Sequence, residues 1–211
     1  MKKEYVSKNV IQRLPRYLRH LSELEREGVE RISSGELGAR MGLTPSQIRQ
    51  DFANFGGFGQ QGYGYNVHTL KDEIGAILGV NRERSMILVG TGRLGQCLLE
   101  NFDFQHFGFT LKAAFDIKPE IIGEIICGVP VLDGAQIRDY LRENPTDVAV
   151  LSTNREKVQG AANALIEGGI HAIWNFTECE ISGAEGHVLV ESIHFSDSLL
   201  RLGYYLNEED T

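Results

Sequence analysis

Cysteine is scarce in this chain: Cys97, Cys127 and Cys179 make an odd count of 3, with no Cys-x-x-Cys pair and no histidine at metal-ligating spacing. That excludes a disulfide framework and a zinc site, and leaves three reduced thiols. Long apolar runs are lacking too. No stretch approaches the roughly 18 apolar residues a membrane span needs, and the charged start, Met-Lys-Lys-Glu-Tyr, is not a secretory leader. A cytoplasmic protein is the expectation. Basic residues are the minority, 21 Lys and Arg against 29 Asp and Glu, and the net charge of -8 taken whole argues against a nucleic-acid partner. The deficit is uneven, however. Residues 1–80 carry 11 basic and 9 acidic side chains, whereas residues 81–211 carry 10 and 20. A weakly basic first third joined to an acidic remainder predicts two domains with different partners, and 211 residues are enough for both.

The most informative stretch is Met86-Ile-Leu-Val-Gly-Thr-Gly-Arg-Leu-Gly95, an apolar run ending in Gly90, Gly92 and Gly95 at GxGxxG spacing. It predicts a strand, a tight turn and a helix start. Gly90 lets the chain turn, Gly92 lets backbone amides approach a diphosphate, and Gly95 lets the helix lie close to its strand. The intervening Thr91, Arg93 and Leu94 join them as candidate cofactor-binding residues, because free N–H groups at a helix start face phosphates. A second apolar run, Leu111 to Phe115, ends at Asp116, placed to present an acid to ribose hydroxyls and to repel a 2′-phosphate. The expected ligand is therefore NAD(H) and not NADP(H), with Lys118 two residues on as a softening feature.

Ahead of that motif, Val10, Leu14, Leu18, Leu21 and Leu24 recur at helical spacing from Ser7 to Glu27, with Pro15 marking a kink or a late start. Ser33-Ser-Gly-Glu36 forms a capping box for a short helix to Met41. Gly42 breaks it, and Thr44-Pro-Ser-Gln47 forms a second box with Pro45 at the first helical position. Helix, glycine turn and capped helix over Tyr17 to Gly56 are helix-turn-helix spacing. Ser46, Gln47, Arg49 and Gln50, near the start of the helix Ser46 to Phe55, are candidate base and phosphate readers. Phe55 to Tyr65 then alternates glycine with four aromatics, which predicts a hairpin wing carrying Gln60, Gln61 and Tyr63. A linking helix, Val67 to Leu78, is stopped by Gly79.

After Asp116, strands at Val129–Leu132, Val148–Leu151 and Ile170–Phe176 alternate with helices near Gly134–Leu141 and Glu156–Glu167. That alternation predicts an α/β domain with a doubly wound parallel sheet. Ligands lie beyond the carboxyl ends of such strands, which nominates Ser152, Thr153 and Asn154, and likewise Asn175, Phe176 and Thr177, for the nicotinamide half. The last segment, Phe195 to Leu206, is apolar over most of its circumference and needs cover on several sides, either as a core helix or by insertion into a partner subunit.

Ile32-Ser-Ser-Gly-Glu-Leu, Ser46-Gln-Ile-Arg-Gln-Asp-Phe, Phe55-Gly-Gly-Phe-Gly, Gly62-Tyr-Gly-Tyr-Asn-Val67, the glycine turn, Phe115-Asp116 and Trp174-Asn-Phe-Thr177 together resemble the Rex family of redox-sensing transcriptional repressors. The resemblance spans nearly the whole chain. It implies a winged helix-turn-helix domain over residues 1–80, a Rossmann-like NAD(H)-binding domain over 81–193 and a carboxy-terminal helix over 194–211 exchanged between the subunits of a homodimer. It also implies a palindromic DNA operator bound when NAD+ predominates and released when NADH closes the dimer, with Phe195 of the partner subunit near the nicotinamide. The chain departs from the family pattern at Gln50, Gln60 and Gln61, where relatives carry basic residues, and at Asn101, Asn154 and His194. A dehydrogenase would need His171, His187 or His194 as acid or base and a substrate domain for which no chain is left, so no catalytic residue is expected. A CoA-type ligand in place of NAD(H) is the third reading, disfavoured by Asp116.

Overall fold

The computed structural model describes residues 6–56, 58 and 63–209. The chain forms two compact units, Met1–Asn81 and Arg82–Thr211. In the first, α1 (Lys8–Arg26) is capped by Ser7 and buries Val10, Leu14, Tyr17, Leu21 and Leu24 along one stripe. Pro15 neither breaks nor delays this helix. It sits on the exposed side of the turn, where water can reach the carbonyl left without an N–H donor.

Two short strands, β1 (Arg31–Ile32) and β2 (Tyr65–Asn66), pair antiparallel. Between them lie α2 (Ser34–Met41) and α3 (Pro45–Ala53). The Ser33–Glu36 capping box is complete, and Gly42 ends α2 in the left-handed region at φ 67°. The second box is only half formed: the Thr44 hydroxyl accepts from the Gln47 amide at 3.2 Å, but the Gln47 side chain turns inward instead of reaching back. Tyr65, at the end of the predicted wing, pairs with Ile32, and residues 57 and 59–62 of that stretch lie outside the described residues. Of the four aromatics, Tyr65 is buried and Phe55 and Phe58 are partly buried against the core, with Phe58 and Tyr65 both edge-on to Phe52; only Tyr63 is exposed. Then α4 (Val67–Leu78), capped by Asn66 and stopped by Gly79 at φ 80°, lays Leu70 and Ile74 into the same core.

The second unit is a seven-stranded sheet built from β3 (Arg84–Val89), β4 (Phe109–Asp116), β5 (Ile125–Ile126), β6 (Val129–Asp133), β7 (Val148–Leu151), β8 (Ala172–Asn175) and β9 (Leu189–Ser192). Their order is β5-β6-β4-β3-β7-β8-β9, with β5 alone antiparallel. The six parallel strands, counted along the chain, run 3-2-1-4-5-6, the order of dinucleotide-binding sheets, with the reversal between β3 and β7. One face packs on α6 (Ile137–Glu143) and α7 (Val158–Glu167) through Ile87, Phe115, Leu141 and Leu165. The other packs on α5 (Arg93–Asn101) through Met86, Leu88, Leu98 and Leu99. The helices predicted from Gly134 and Glu156 each begin with a 3-10 turn, over Gly134–Gln136 and Arg155–Lys157. The chain ends in α8 (Phe195–Glu209), whose large apolar side chains are all exposed.

Candidate functional site

β3 and β4 are both buried over their carboxyl-terminal four residues, and after β3 the chain reverses through glycine. Gly90 adopts φ 97°, and a Cβ on it would fall 2.7 Å from the Ser152 carbonyl oxygen. Any larger residue would therefore be strained and would push the β7 loop away. A Cβ on Gly95 would overlap the Gly90 carbonyl oxygen, which is how α5 comes to rest directly on the turn. Gly92 differs: nothing lies within 4 Å of the Cβ it lacks, and as the residue before α5 it supplies no side-chain cap. The first-turn amides of α5 are therefore available to an anion arriving through that open space.

Beside the turn is a cavity of about 460 Å³ at the carboxyl ends of the strands. Of the predicted cofactor residues, Gly90, Gly92, Asp116, Lys118, Ser152, Thr153 and Asn154 line it. The Thr153 hydroxyl is buried without a hydrogen-bond partner, which a ligand donor or acceptor would satisfy. Sequence reasoning missed Ile117, Asp133, Gly134 and Lys157, which line the same cavity. The rule that nominated Ser152 reaches Ile117, Asp133 and Gly134 as well, since each ends or directly follows a parallel strand, whereas Lys157 lies at the end of the 3-10 turn before α7. Arg93 is exposed on the first turn of α5, Leu94 is half-buried beneath it and Gly95 is buried.

Asp116, which lines the cavity, has its carboxylate engaged within the chain: Oδ2 accepts from the Thr91 amide and hydroxyl, both at 2.7 Å, and Oδ1 accepts from the amides of Ile117 and Lys118 at 2.8 and 3.1 Å. Burial alone would push this carboxyl up, but the Thr91 hydroxyl and the three amides outweigh it and hold it below its ordinary value. Thr91, 1% exposed, is likewise spent on Asp116. The nicotinamide-half candidates differ similarly. Asn175 is fully buried and saturated, its amide donating to the Cys179 carbonyl and the Ser192 hydroxyl and its oxygen accepting from the Thr177 amide and hydroxyl. Asn175 and Thr177 thus hold the loop after β8. Phe176 remains half-buried with its ring 4.5 Å from that of Trp174, and Phe195 is 59% exposed at the start of α8; neither lines the cavity.

In the first unit, α3 buries Ile48, Asp51 and Phe52, which turns Ser46, Arg49 and Gln50 outward on one face. Arg49 donates to the Ser34 hydroxyl at 3.0 Å, steadying its long side chain. Gln47, nominated as a base reader, donates here to Asp51 Oδ1 at 2.8 Å. Asp51, fully buried, also accepts two bonds from Arg13 at 2.6 and 2.8 Å and one from the Tyr17 hydroxyl at 2.7 Å. Next to β2, Tyr63 is 70% exposed and Arg31 bonds its carbonyl at 3.2 Å while lying 5.8 Å from its ring centre. Arg31 was not nominated from the sequence, and no local motif marks it. Gln60 and Gln61 lie outside the described residues.

Residues 5–53 match the family described as "Putative DNA-binding protein N-terminus", and residues 81–179 match the CoA binding domain family. The redox-sensing transcriptional repressor Rex of Caldicellulosiruptor saccharolyticus is 46% identical over 208 residues, 99% of this chain and 94% of that one. The chain belongs to the Rex family. The Rex of Clostridium beijerinckii is 45% identical over the whole of this chain and 99% of its own. Among solved structures, RSP in complex with β-NAD+ and operator DNA superposes with a TM-score of 0.91 at 45% identity, covering 98% of this chain and 94% of that one. RSP in complex with β-NADH gives 0.89 at 42% identity, covering 97% and 96%. Within this Rex-family chain, the departures noted above occupy defined places. His194 is half-buried with its ring 3.6 Å from Glu178 and 4.0 Å from Glu180, and Asn101 donates to the Cys97 carbonyl at 3.1 Å.

Proposed function

We propose that this chain is a transcriptional repressor of the cytoplasm that binds a palindromic operator as a homodimer and is released from it by NADH. The observation that carries the reading is the conjunction, in one Rex-family chain, of an outward polar face on α3 with a glycine turn whose helix start is open and uncapped. Ser46, Arg49 and Gln50 are suited to base edges and phosphates in a major groove, and Tyr63 and Arg31 contact each other next to β2. The residues around the cavity fit a dinucleotide. The α5 amides after Gly92 take the diphosphate, Thr153 offers an unsatisfied hydroxyl, and Ile117 and Gly134 shape an apolar wall.

Bound there, the cofactor supplies a nicotinamide ring that is cationic when oxidised and neutral when reduced. Burying a cation beside Phe176, in the loop after β8, and a partner subunit's Phe195 costs more than burying a neutral ring, so the closed dimer favours NADH. The ligand is read and not consumed, and the protein is a regulator and not an enzyme. To turn a mostly open population into a mostly closed one, that preference must amount to several kcal/mol, roughly 5 for a near-complete switch.

The test is to follow a labelled palindromic duplex by fluorescence anisotropy while each cofactor is added. NADH is expected to release the DNA and NAD+ to leave it bound. Equal release by the two overturns the reading.

A further inference from the structure

In dinucleotide-binding sheets the acid closing the second strand is expected to bind the ribose diol. Here that position is Asp116, and its geometry is of another kind. A carboxylate offers about four lone-pair directions. All four are taken, by Thr91 N, Thr91 Oγ1, Ile117 N and Lys118 N, at 2.7 to 3.1 Å. Asp116 is 9% exposed and Thr91 1%, so water does not compete for these bonds. The Thr91 amide lies in the middle of the glycine turn, between the residue that reverses the chain and the residue that opens to the ligand. Its N–H points back to Asp116 and is lost to a phosphate, whereas the amides that follow Gly92 remain free.

Resting on the proposed binding of NAD(H), we infer that Thr91 and Asp116 are a positioning pair: a buried clamp that joins the end of β4 to the glycine turn and fixes the direction of the α5 amides, without touching the ribose. The bond from Gly90 N to the Phe115 carbonyl at 2.8 Å ties the same two elements one residue earlier, so the clamp completes a two-point attachment. A preorganised amide array of this sort stabilises any diphosphate-bearing ligand, irrespective of what its nicotinamide or 2′ position carries. The choice of Thr at position 91 follows, since its hydroxyl supplies the second bond to Oδ2 that an alanine or valine would not.

The experiment measures affinities of the full-length protein for NADH, NAD+, ADP-ribose and NADPH by calorimetry, in the wild type and in Thr91→Val, Thr91→Ser and Asp116→Asn. The clamp predicts that T91V weakens NADH, NAD+ and ADP-ribose by a similar factor, about tenfold for one lost charge-assisted bond. T91S restores the affinity, and D116N weakens all three without raising the affinity for NADPH relative to NADH. If T91V binds as the wild type does, or if D116N brings NADPH level with NADH, Asp116 is a ribose reader and the inference is wrong. The reading it rests on fails separately, if the wild-type protein binds none of the four ligands. T91V keeps shape and volume, and its unfolding midpoint, measured alongside, together with the T91S rescue, separates lost clamping from lost folding.

Discussion

Asp51 is where a single side chain decides most. A fully buried carboxylate is costly unless every acceptor is used, and here Arg13, Tyr17 and Gln47 supply four donors from two helices. The network fixes the angle at which α3 leaves the core, and so the direction in which Ser46, Arg49 and Gln50 point. Burial would push the Asp51 carboxyl up, but the bonds from Arg13, Tyr17 and Gln47 prevail and keep it below its ordinary 3.8. A carboxyl whose folded value is depressed adds stability that is present above its unfolded value and is lost as pH falls through the folded one. Asp51→Asn should therefore destabilise the first unit by about 3–5 kcal/mol near neutral pH, by leaving Arg13 without its charge partner. In thermal melts the gap to the wild type should shrink from about pH 5 downwards as the wild-type carboxyl protonates. A gap that does not change with pH would mean that Asp51 contributes through packing alone. Nothing in the sequence disclosed this role. Gln47 and Asp51 sit at i and i+4 on a polar-looking helix, and the partner that turns them inward, Arg13, is 38 residues away.

Elements were more legible than residues, because their signals are local. The Ser33 box, Pro45, Gly42 and Gly79 mark helix ends by chemistry confined to four or five residues, and the strands β3, β4 and β7 announce themselves as apolar runs. β5 and β9 did not. β5 has two residues, and β9 places Leu189, Val190 and Glu191 on the exposed edge of the sheet, where neither alternation nor burial shapes its composition. The glycine turn is the element in which the motif carried the most structure, and its three glycines should respond differently to the same added methyl. Gly95→Ala forces the new Cβ against the Gly90 carbonyl oxygen, so α5 must lift from the turn. A loss of about 1–3 kcal/mol in denaturant unfolding is expected, together with weakened NADH binding. Gly92→Ala meets open space at a φ of -65° that alanine adopts readily, so the unfolding midpoint should hold. NADH affinity should nonetheless drop by about tenfold or more, because the methyl occupies the approach of the diphosphate. Retained affinity in G92A would remove the diphosphate from this turn.

At the level of the whole molecule the unsolved demand is α8. Leu199 and Leu200 are 70% and 72% exposed, and Leu202, Tyr204, Tyr205 and Leu206 all exceed half exposure. No helix of the described residues is long and apolar enough to cross a membrane. The second unit leaves a further apolar groove of about 620 Å³ on its sheet, walled by Phe102, Phe107, Trp174, Leu189 and Val190. An apolar surface of this kind is rarely left in water, and the second copy of the chain proposed above would cover it with two-fold symmetry. That symmetry matters for the DNA. In the proposed homodimer, two α3 helices held about one helical turn of the duplex apart would read the halves of a palindrome together, and the second half-site would then be bound at high effective concentration. Leu199→Asp combined with Leu206→Asp places charges in the apolar surface of a helix that the rest of its own chain leaves exposed. The folded units should therefore survive, as circular dichroism would register, while sedimentation equilibrium moves from the dimer mass to the 23.5 kDa of one chain. Affinity for the full palindrome should fall by a factor of about 100 or more and approach that for a single half-site. A double variant that still sediments as a dimer would assign the pairing to the groove or another surface, and would leave α8 without the partner that its composition demands.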